Sequence, residues 1–310
     1  MYGQFFVIFA LLLTGYVFRK INIISEEVNR GLSKFIIYFS FPCLVFYKVA
    51  SIEVGGAFLK EFFTAAGLSA LFFLVFGLYV FLYAKMRRFP KEDASSAELV
   101  MLFPNNAFMG FPIAFIFYGD AGLLLMLANN IAMNLTLFSY GILVLRRDDV
   151  NKRFSPKNLL KCFLNPNIIA LAAGLLFYSF VIPVPGPVGT YLSYIGSLCT
   201  PIAMIYVGAM LVGTNIIEVL KNRVVLESAV NKNLVAPVLA YAMVAFLPLP
   251  AMTKAIIVFG ASFPSAAAAS VLVETEGKNG VLACKILAVS TAVSIVSIPA
   301  FANLINMLIL

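Results

Sequence analysis

The sequence contains no histidine and no tryptophan, and only 12% of its 310 residues are charged. A soluble chain carries about a quarter charged residues, because they cover its surface. Without histidine, the chain has no Ser-His-Asp or Cys-His nucleophile pair and no imidazole metal site. The four cysteines lie far apart in apolar runs, without a C-x-x-C pair: Cys43, Cys162, Cys199 and Cys284. We expect buried thiols here, with no disulfide framework, metal cluster or cofactor site.

Hydrophobic residues are abundant instead: they make up 62% of the chain, with 30 phenylalanines and a mean hydropathy of +0.99. A helix needs about 20 apolar residues to cross a hydrocarbon core ~30 Å thick. The sequence therefore predicts an all-α polytopic membrane protein with ten transmembrane segments. In chain order these are Tyr2–Phe18, Leu32–Val49, Ala57–Ala84, Ala94–Tyr118, Ala121–Leu145, Asn167–Val184, Val188–Val212, Val224–Leu247, Met252–Val273 and Gly280–Leu308. Because Arg19 and Lys20 follow the first segment and no positive charge precedes it, we expect that segment to be retained and not cleaved as a signal peptide.

The net charge of +8 is distributed unevenly between the predicted loops. Sixteen Lys and Arg residues fall on one face of the ten segments, whereas the other face has only Lys48, Lys60 and Lys254. Cytoplasmic loops are the ones enriched in Lys and Arg, so both termini are expected on the non-cytoplasmic side of the plasma (inner) membrane. The basic excess thus indicates topology and contact with the lipid bilayer, and it is not the footprint of a nucleic acid.

The longest polar stretch divides the ten segments into two groups of five. Because five is odd, two similar halves joined there would have opposite orientations in the membrane. We expect a single membrane domain (1–310) made of a first repeat (1–145), a short cytoplasmic linker (146–161) and an inverted second repeat (162–310). Three pairs of landmarks recur at offsets of 159, 152 and 158 residues: Pro42 with Pro201, Pro112 with Pro264, and Gly122 with Gly280. Inverted repeats are typical of secondary transporters.

Segments 4 and 9 are interrupted in corresponding places. Segment 4 carries Pro104, Asn105, Asn106, Gly110 and Pro112, and segment 9 carries Ser262, Pro264 and Ser265. Proline breaks or kinks a helix but is favoured in its first turn, so we expect the second proline of segment 4 and that of segment 9 to begin second half-helices. The unpaired N–H groups at such ends would suit a carboxylate near the membrane centre. Alternatively, these prolines are packing kinks.

Further polar side chains lie within segments 5 and 10. Asn130 and Asn134 share a helix face beside Asn129, and Ser290 and Ser294 are spaced in the same way. Since amides are costly against lipid, we expect these residues to face the bundle interior and line the site. The alternative is that they form hydrogen bonds between helices.

Charged residues within the segments are few. Lys232, in segment 8, either extends its side chain to the cytoplasmic face or supplies a positive charge for an anionic substrate. Lys34 and Lys285 lie nearer to helix ends, where such extension is expected. Glu98 is expected at the interface and Asp120 in a solvated outer turn. Because no carboxylate is expected in mid-span, any coupling to Na⁺ or H⁺ would use amides, hydroxyls and carbonyls.

The stretch Pro104–Pro112 resembles the crossing-helix motif of the auxin efflux carrier family, in its bacterial branch. Asn165-Pro166-Asn167 is similar to the NPN motif of that family, and Ala261–Ala266 is similar to its C-terminal signature. The likeness covers the whole chain in order.

This resemblance implies two inverted five-helix repeats, with helices 4 and 9 broken and crossing as in bile-acid sodium symporters. It implies alternating access, in which a transport domain moves against a scaffold that often forms a homodimer. Plant PIN-type members export auxin, and some bacterial relatives are called malonate carriers. The functional positions that the resemblance implies are Asn105, Asn106, Gly110, Pro112, Ser262, Pro264 and Ser265.

The sequence therefore predicts a secondary transporter that moves a small organic anion, a carboxylate such as malonate or an auxin-like acid, by alternating access. The predicted substrate-binding residues are Asn105, Asn106, Gly110, Pro112, Asn129, Asn130, Asn134, Lys232, Ser262, Pro264, Ser265, Ser290 and Ser294. The alternative is a membrane sensor or receptor that binds a ligand without transport. An enzyme is not expected, because histidine is absent and the one adjacent Asp pair, Asp148-Asp149, lies in the predicted cytoplasmic linker. The sequence leaves open the identity of the substrate, the direction of transport, the coupling ion and the oligomeric state.

Overall fold

The computed structural model describes residues 2–51, 57–147, 165–212, 219 and 221–310. Within these ranges the chain forms helices and one isolated antiparallel β-bridge. The α-helices are α1 (Tyr2–Lys20), α2 (Glu26–Phe35), α3 (Phe41–Ala50), α4 (Ala57–Met86), α5 (Lys91–Leu102), α6 (Phe111–Thr136), α7 (Ile142–Arg146), α8 (Pro166–Ser179), α9 (Gly186–Ser197), α10 (Cys199–Met210), α11 (Arg223–Val230), α12 (Ala236–Val244), α13 (Ala251–Ser262), α14 (Ala267–Thr275) and α15 (Gly280–Leu308). Four π-helical segments continue or precede them: Ile36–Ser40, Asn106–Gly110, Leu137–Gly141 and Asn231–Val235.

The described helices are long and apolar enough for a multi-pass membrane protein. By length and composition, five runs could cross a membrane: Glu26–Ala50, Leu59–Met86, Asn106–Arg146, Gly186–Met210 and Gly280–Leu308. Two shorter apolar helices are Pro166–Ser179 and Ala251–Ser262. The count of ten spans stays a prediction. The predicted boundary between segments 4 and 5 coincides with Gly119, whose φ of 62° and ψ of −152° interrupt α6.

The chain divides into two compact units, each assembled from three separate stretches. Unit 1 comprises Met1–Phe62, Ala107–Leu124 and Leu160–Val212. Unit 2 comprises Phe63–Asn106, Leu125–Leu159 and Gly213–Leu310. Each unit draws on residues from both of the predicted repeats. Most of the predicted cytoplasmic linker lies outside the described residues.

In unit 1, α1 and α10 approach closely through glycine. A Cβ atom added at Gly208 would lie 2.0 Å from the carbonyl oxygen of Leu12, and one added at Gly15 would lie 2.0 Å from that of Ile205. Only a residue without a side chain fits at either place. Small residues at helix contacts are characteristic of membrane bundles, in which van der Waals contact between helices replaces the hydrophobic effect.

Other contacts of unit 1 use aromatic and polar groups. The rings of Phe41 and Phe111 stack with centroids 4.1 Å apart, and the Ser40 hydroxyl donates to the Ile195 carbonyl. The NPN motif caps α8, because the Asn165 side chain accepts a hydrogen bond of 2.9 Å from the N–H of Asn167. This motif therefore begins a helix.

In unit 2, ion pairs join the helices on the predicted cytoplasmic side. Arg147 binds both carboxylate oxygens of Glu98, at 2.6 and 3.0 Å, and Arg146 pairs with Glu276 at 2.6 Å. The predicted interfacial Glu98 is only 4% exposed, and this pairing offsets the cost of burying it.

The expectation of buried cysteines is wrong for Cys284, which is exposed on α15. Cys199 is buried and Cys43 is half-buried, whereas Cys162 lies outside the described residues. An apolar run in a membrane protein can face lipid, so hydrophobic flanks alone do not predict burial within the protein.

Candidate functional site

Two extended segments cross within unit 2 where α5 and α13 end. The N–H of Asn105 donates to the carbonyl of Pro264 at 2.7 Å, and the N–H of Ala266 donates to the carbonyl of Phe103 at 2.8 Å. These two bonds form the antiparallel bridge between Pro104 and Ser265. The breaks expected in segments 4 and 9 are therefore present, and they meet.

Proline sets the conformation of both segments. The residue before a proline is driven away from helical angles by the proline ring. Phe103, before Pro104, has φ −99° and ψ 124°, and Phe263, before Pro264, has φ −69° and ψ 150°. Both phenylalanines are fully buried. The two Phe-Pro pairs thus end α5 and α13 in the same way.

The expected role of Pro264 as the start of a half-helix is wrong. The next helix, α14, begins at Ala267, and Pro264 lies in the extended segment before it. Its carbonyl is needed for the bridge, and two further residues, Ser265 and Ala266, separate it from that helix. Pro112 is the second residue of α6, but the π-helical segment Asn106–Gly110 leads directly into α6. The helical run after the first break therefore begins at Asn106, and the expected role of Pro112 as its start is also wrong.

The N–H groups at the breaks are also less available than expected. The N–H of Asn106 donates to the Pro104 carbonyl at 2.9 Å, and that of Ser265 donates to the Ser290 hydroxyl at 3.1 Å. Within a bilayer a backbone group must find its partner inside the protein, and the crossing supplies those partners. The ends of the helices are therefore only partly open to a ligand.

A first polar triad supports the segment after Pro104. The Asn106 amide donates to the Asn129 side-chain oxygen at 2.8 Å, and the Asn129 amide donates to the Ser69 hydroxyl at 2.9 Å. All three side chains are buried, and they come from α4, the π-helical segment Asn106–Gly110 and α6. A Cβ atom at Gly260 would lie 3.0 Å from Asn129, so a glycine makes room for this amide.

A second polar triad supports the segment after Pro264. The Ser290 hydroxyl accepts from the Ser265 N–H and donates to the Leu287 carbonyl. The amide of Asn233 donates to the Ser290 carbonyl at 2.7 Å. Asn233, Ser265 and Ser290 are fully buried. The triad links the π-helical segment Asn231–Val235, the second break and α15.

Lys232 lies beside this second triad and does not reach the cytoplasmic face. Its side chain is completely buried, and its Nζ donates to the carbonyl of Ala261 at 3.3 Å, in the last turn of α13. The interpretation in which this side chain extends to the membrane surface is therefore wrong. Lys34 and Lys285 are exposed, and the extension of their side chains to the membrane surface stays a prediction.

Three buried polar atoms of the triads have no hydrogen-bond partner among the described residues: Asn106 Oδ1, Asn233 Oδ1 and Ser265 Oγ. Most buried polar atoms in proteins are paired, so a cluster of exceptions indicates a place where a ligand completes the bonding. Asn106 and Ser265 belong to the breaks themselves, and Asn233 donates to Ser290, which supports the second break.

The other predicted site residues take more local roles. Asn134 donates to the backbone of Asn130, and the hydroxyls of Ser262 and Ser294 donate to carbonyls of their own helices. Asn130 Oδ1 lacks a partner among the described residues, although Asn130 forms no bond to either triad. Gly110 ends the π-helical segment Asn106–Gly110 and belongs to unit 1, as does Pro112.

Sequence reasoning missed two members of the triads, Ser69 and Asn233. Ser69 is the one serine of a long apolar helix, which by itself signals nothing. The offset between these two residues is 164, close to the offsets between the proline and glycine landmarks. A comparison of polar positions between the halves would therefore have found them.

Comparison with known proteins places the chain in a family. A family model described as "Membrane transport protein" matches residues 1–302. The chain belongs to this family. The predicted membership of the auxin efflux carrier family is confirmed, because this model is the model of that family.

Two archaeal relatives match along most of their length. An uncharacterized transporter of Methanothermobacter thermautotrophicus is 22% identical over 294 residues, which cover 94% of each chain. An uncharacterized transporter of Methanocaldococcus jannaschii is 23% identical over 267 residues, or 84% of each chain. Both names support membrane transport and specify no substrate.

Proposed function

We propose that this membrane transport protein is a secondary transporter for a small organic anion, with its substrate site at the crossing in unit 2. The observation that carries the proposal is a fully buried lysine beside two interrupted helices whose polar atoms are incompletely paired. Polar and charged groups inside a membrane protein are costly and usually mark a substrate or ion pathway. Broken helices near the midplane mark the same kind of site.

The donors of the site favour an anion. Lys232 contributes a positive charge, and the hydroxyl of Ser265 has a proton available to donate. The N–H groups of Ala267 and Ala268, the first residues of α14, have no intrahelical acceptor by the geometry of a helix end. Such a helix end carries a partial positive charge. A carboxylate would satisfy these donors together.

The acceptors of the site favour a substrate that is more than a bare carboxylate. The unpartnered oxygens of Asn106 and Asn233 need a donor or a cation. A hydroxyl or N–H group of an organic acid would supply the donor, and a bound Na⁺ would supply the cation. This pattern supports small functionalised acids as the substrate class, malonate or an auxin-like acid among them.

The inverted repeat that we propose is supported by the two triads. Ser69, Asn129 and Asn106 correspond to Asn233, Ser290 and Ser265 at offsets of 164, 161 and 159 residues. In each triad, a helix before the break and a helix after it hold the broken segment. Such correspondence is expected when two halves of one chain fold alike, with the ten spans and five-helix repeats predicted above.

Alternating access would expose this site in turn to each side of the plasma membrane. The charge asymmetry of the loops supports an orientation with both termini on the non-cytoplasmic side. A homodimer stays a prediction from the family resemblance.

A thermal-shift screen tests binding. Mono- and dicarboxylates, with and without Na⁺, are added to the detergent-solubilised chain, and a ligand that binds the folded state raises its melting temperature with concentration. We expect stabilisation by at least one small carboxylate. Stabilisation by neutral or cationic solutes alone would contradict the anion assignment.

Uptake of the stabilising carboxylate into proteoliposomes tests the site. Asn106→Ala removes the amide that joins the first break to Asn129, and Pro264→Ala allows α13 to continue through the second break. We expect each variant to reduce uptake about tenfold or more, the effect of losing about 1.4 kcal/mol. Thr275→Ala, an exposed hydroxyl that donates to its own helix, is the matched control. Parental rates in both site variants would show that the substrate binds elsewhere.

A further inference from the structure

Lys232 is a fully buried lysine for which the described residues provide one neutral acceptor. A protonated Nζ would have three protons to donate, yet the side chain forms one hydrogen bond among the described residues, of 3.3 Å to the Ala261 carbonyl. No carboxylate of the described part of the chain forms a salt bridge with it. The position at the C-terminal end of α13 offers a partial negative charge but not a full one.

The charged and titratable side chains on the neighbouring elements are engaged or exposed elsewhere. The segment Asn231–Val235 packs against α5, α11, α12, α13 and α15. On these helices Glu98 binds Arg147, Glu227 binds Arg87 and Arg223, Asp93 accepts from Asn279, and Lys254 donates to the Ala245 carbonyl. Lys91, Glu92, Lys285 and Cys284 are exposed, and Tyr241 is half-buried. Tyr79, on α4, donates to Asn231.

Physical chemistry limits how such a lysine can carry a charge. Removing an ammonium group from water costs several kcal/mol, and that cost is offset only by an opposite charge in good geometry. A single carbonyl does not provide that charge, whereas a bound carboxylate would. The protonated form of Lys232 and the bound form of an organic anion therefore stabilise each other, as linked binding requires.

We infer that Lys232 takes up a proton when the substrate carboxylate binds, so that the transporter moves its anion together with a proton. The inference rests on the proposed function and adds the coupling ion to it. The neutral amine accepts H⁺ from water on the side from which the anion enters. The resulting ammonium and the carboxylate cancel in charge while they cross. On the far side the anion leaves and the amine returns its proton to water.

The experiment measures protons directly. Purified protein in weakly buffered detergent solution, with a pH-indicator dye, is mixed with malonate and separately with indole-3-acetate, at a pH where both acids are fully ionised. Chloride provides the ionic-strength control, and calorimetry measures how much acid binds. We expect about one proton to be taken up for each anion bound, as linkage of one site requires.

Two variants test which side chain takes up the proton. Lys232→Arg keeps a permanent positive charge, since arginine stays protonated in proteins, and we expect it to bind the anion without proton uptake. Lys285→Gln removes an exposed lysine of α15 and is expected to behave like the parent chain. Unchanged proton uptake in the Lys232→Arg variant would assign the proton to another group and overturn the inference.

If the arginine variant does not fold, measurements on the parent chain alone still test the inference. Anion binding without proton uptake in the parent would overturn the inference and leave the proposed function intact. A lack of binding by malonate and indole-3-acetate, together with a negative thermal-shift screen, would contradict the proposed function and the inference with it.

Discussion

Single polar residues in unit 2 are arranged so that each helix break is held by a side chain from a later helix. Asn129 binds Asn106, and Ser290 binds the backbone of Ser265. In a low-dielectric interior these hydrogen bonds are stronger than in water, and an unpaired group is correspondingly costly. Two of the three atoms left without partners lie on the residues that are held, Asn106 and Ser265, and the third lies on Asn233. This distribution fits a binding site better than a purely structural network.

A pair of serines on α15 tests this arrangement at the residue scale. Ser290→Ala leaves the buried N–H of Ser265 without an acceptor, which costs about 1–3 kcal/mol, so we expect a lower melting temperature and slower carboxylate uptake. Ser294→Ala loses only a bond to the Thr291 carbonyl of the same helix and is expected to stay near the parental values. Thermal unfolding and proteoliposome uptake measure the two effects. Equal behaviour of the two variants would show that the second triad does not hold the break.

At the scale of elements, the interrupted helices show how a membrane protein accommodates extended backbone. Non-helical backbone at membrane depth is tolerated only where its polar groups are satisfied by protein or line a cavity. The two extended segments satisfy one another by the bridge between Pro104 and Ser265. Each break therefore depends on the other, and neither segment would be expected to keep its extended conformation alone.

The contact between α1 and α10 provides an element-scale prediction in unit 1. Gly208→Ala places a methyl group against the Leu12 carbonyl, and because backbone lines the contact, the helices must separate. Overpacking of this kind costs about 1–3 kcal/mol, so we expect a clear fall in melting temperature. The matched control is Gly31→Ala on α2, where an added Cβ meets nothing within 4 Å and alanine favours the helix. A melting temperature for Gly208→Ala as high as that of the control would contradict the close contact.

At the scale of the whole molecule, chain order and spatial organisation differ. The first break marks a transition, since unit 2 includes Asn106 and unit 1 resumes at Ala107. The second break lies entirely in unit 2, between α13 and α14. The crossing therefore contains one segment from each of the two predicted repeats.

The membrane orientation is a prediction of the same scale. With sixteen Lys and Arg residues on one face, we expect the C-terminus at Leu310 on the non-cytoplasmic side. Alkaline phosphatase fused after Leu310 should therefore be active, and green fluorescent protein at the same place should be dark. Fusions after Arg88, in a predicted cytoplasmic loop, should show the opposite pattern. A reversed pattern at the two positions would invert the orientation.

The sequence by itself was sufficient to predict a multi-pass helical membrane protein of the auxin efflux carrier family, with interrupted segments 4 and 9. The length of an apolar run has to match the thickness of the hydrocarbon core, and a proline breaks a helix because it lacks an N–H. Both signals are local, so they can be interpreted without knowledge of distant contacts. The same kind of local signal predicts Asn106, Lys232 and Ser265 as site residues.

Only the tertiary structure decided how the breaks are completed. Pro264 lies in an extended segment because its carbonyl bonds to Asn105, a residue 159 positions earlier, and no local rule contains that partner. Lys232 is buried against a carbonyl at the end of α13, and Ser69 enters the site because Asn129 donates to it. Hydrogen bonds between remote residues depend on where the helices pack, and packing is a property of the folded chain.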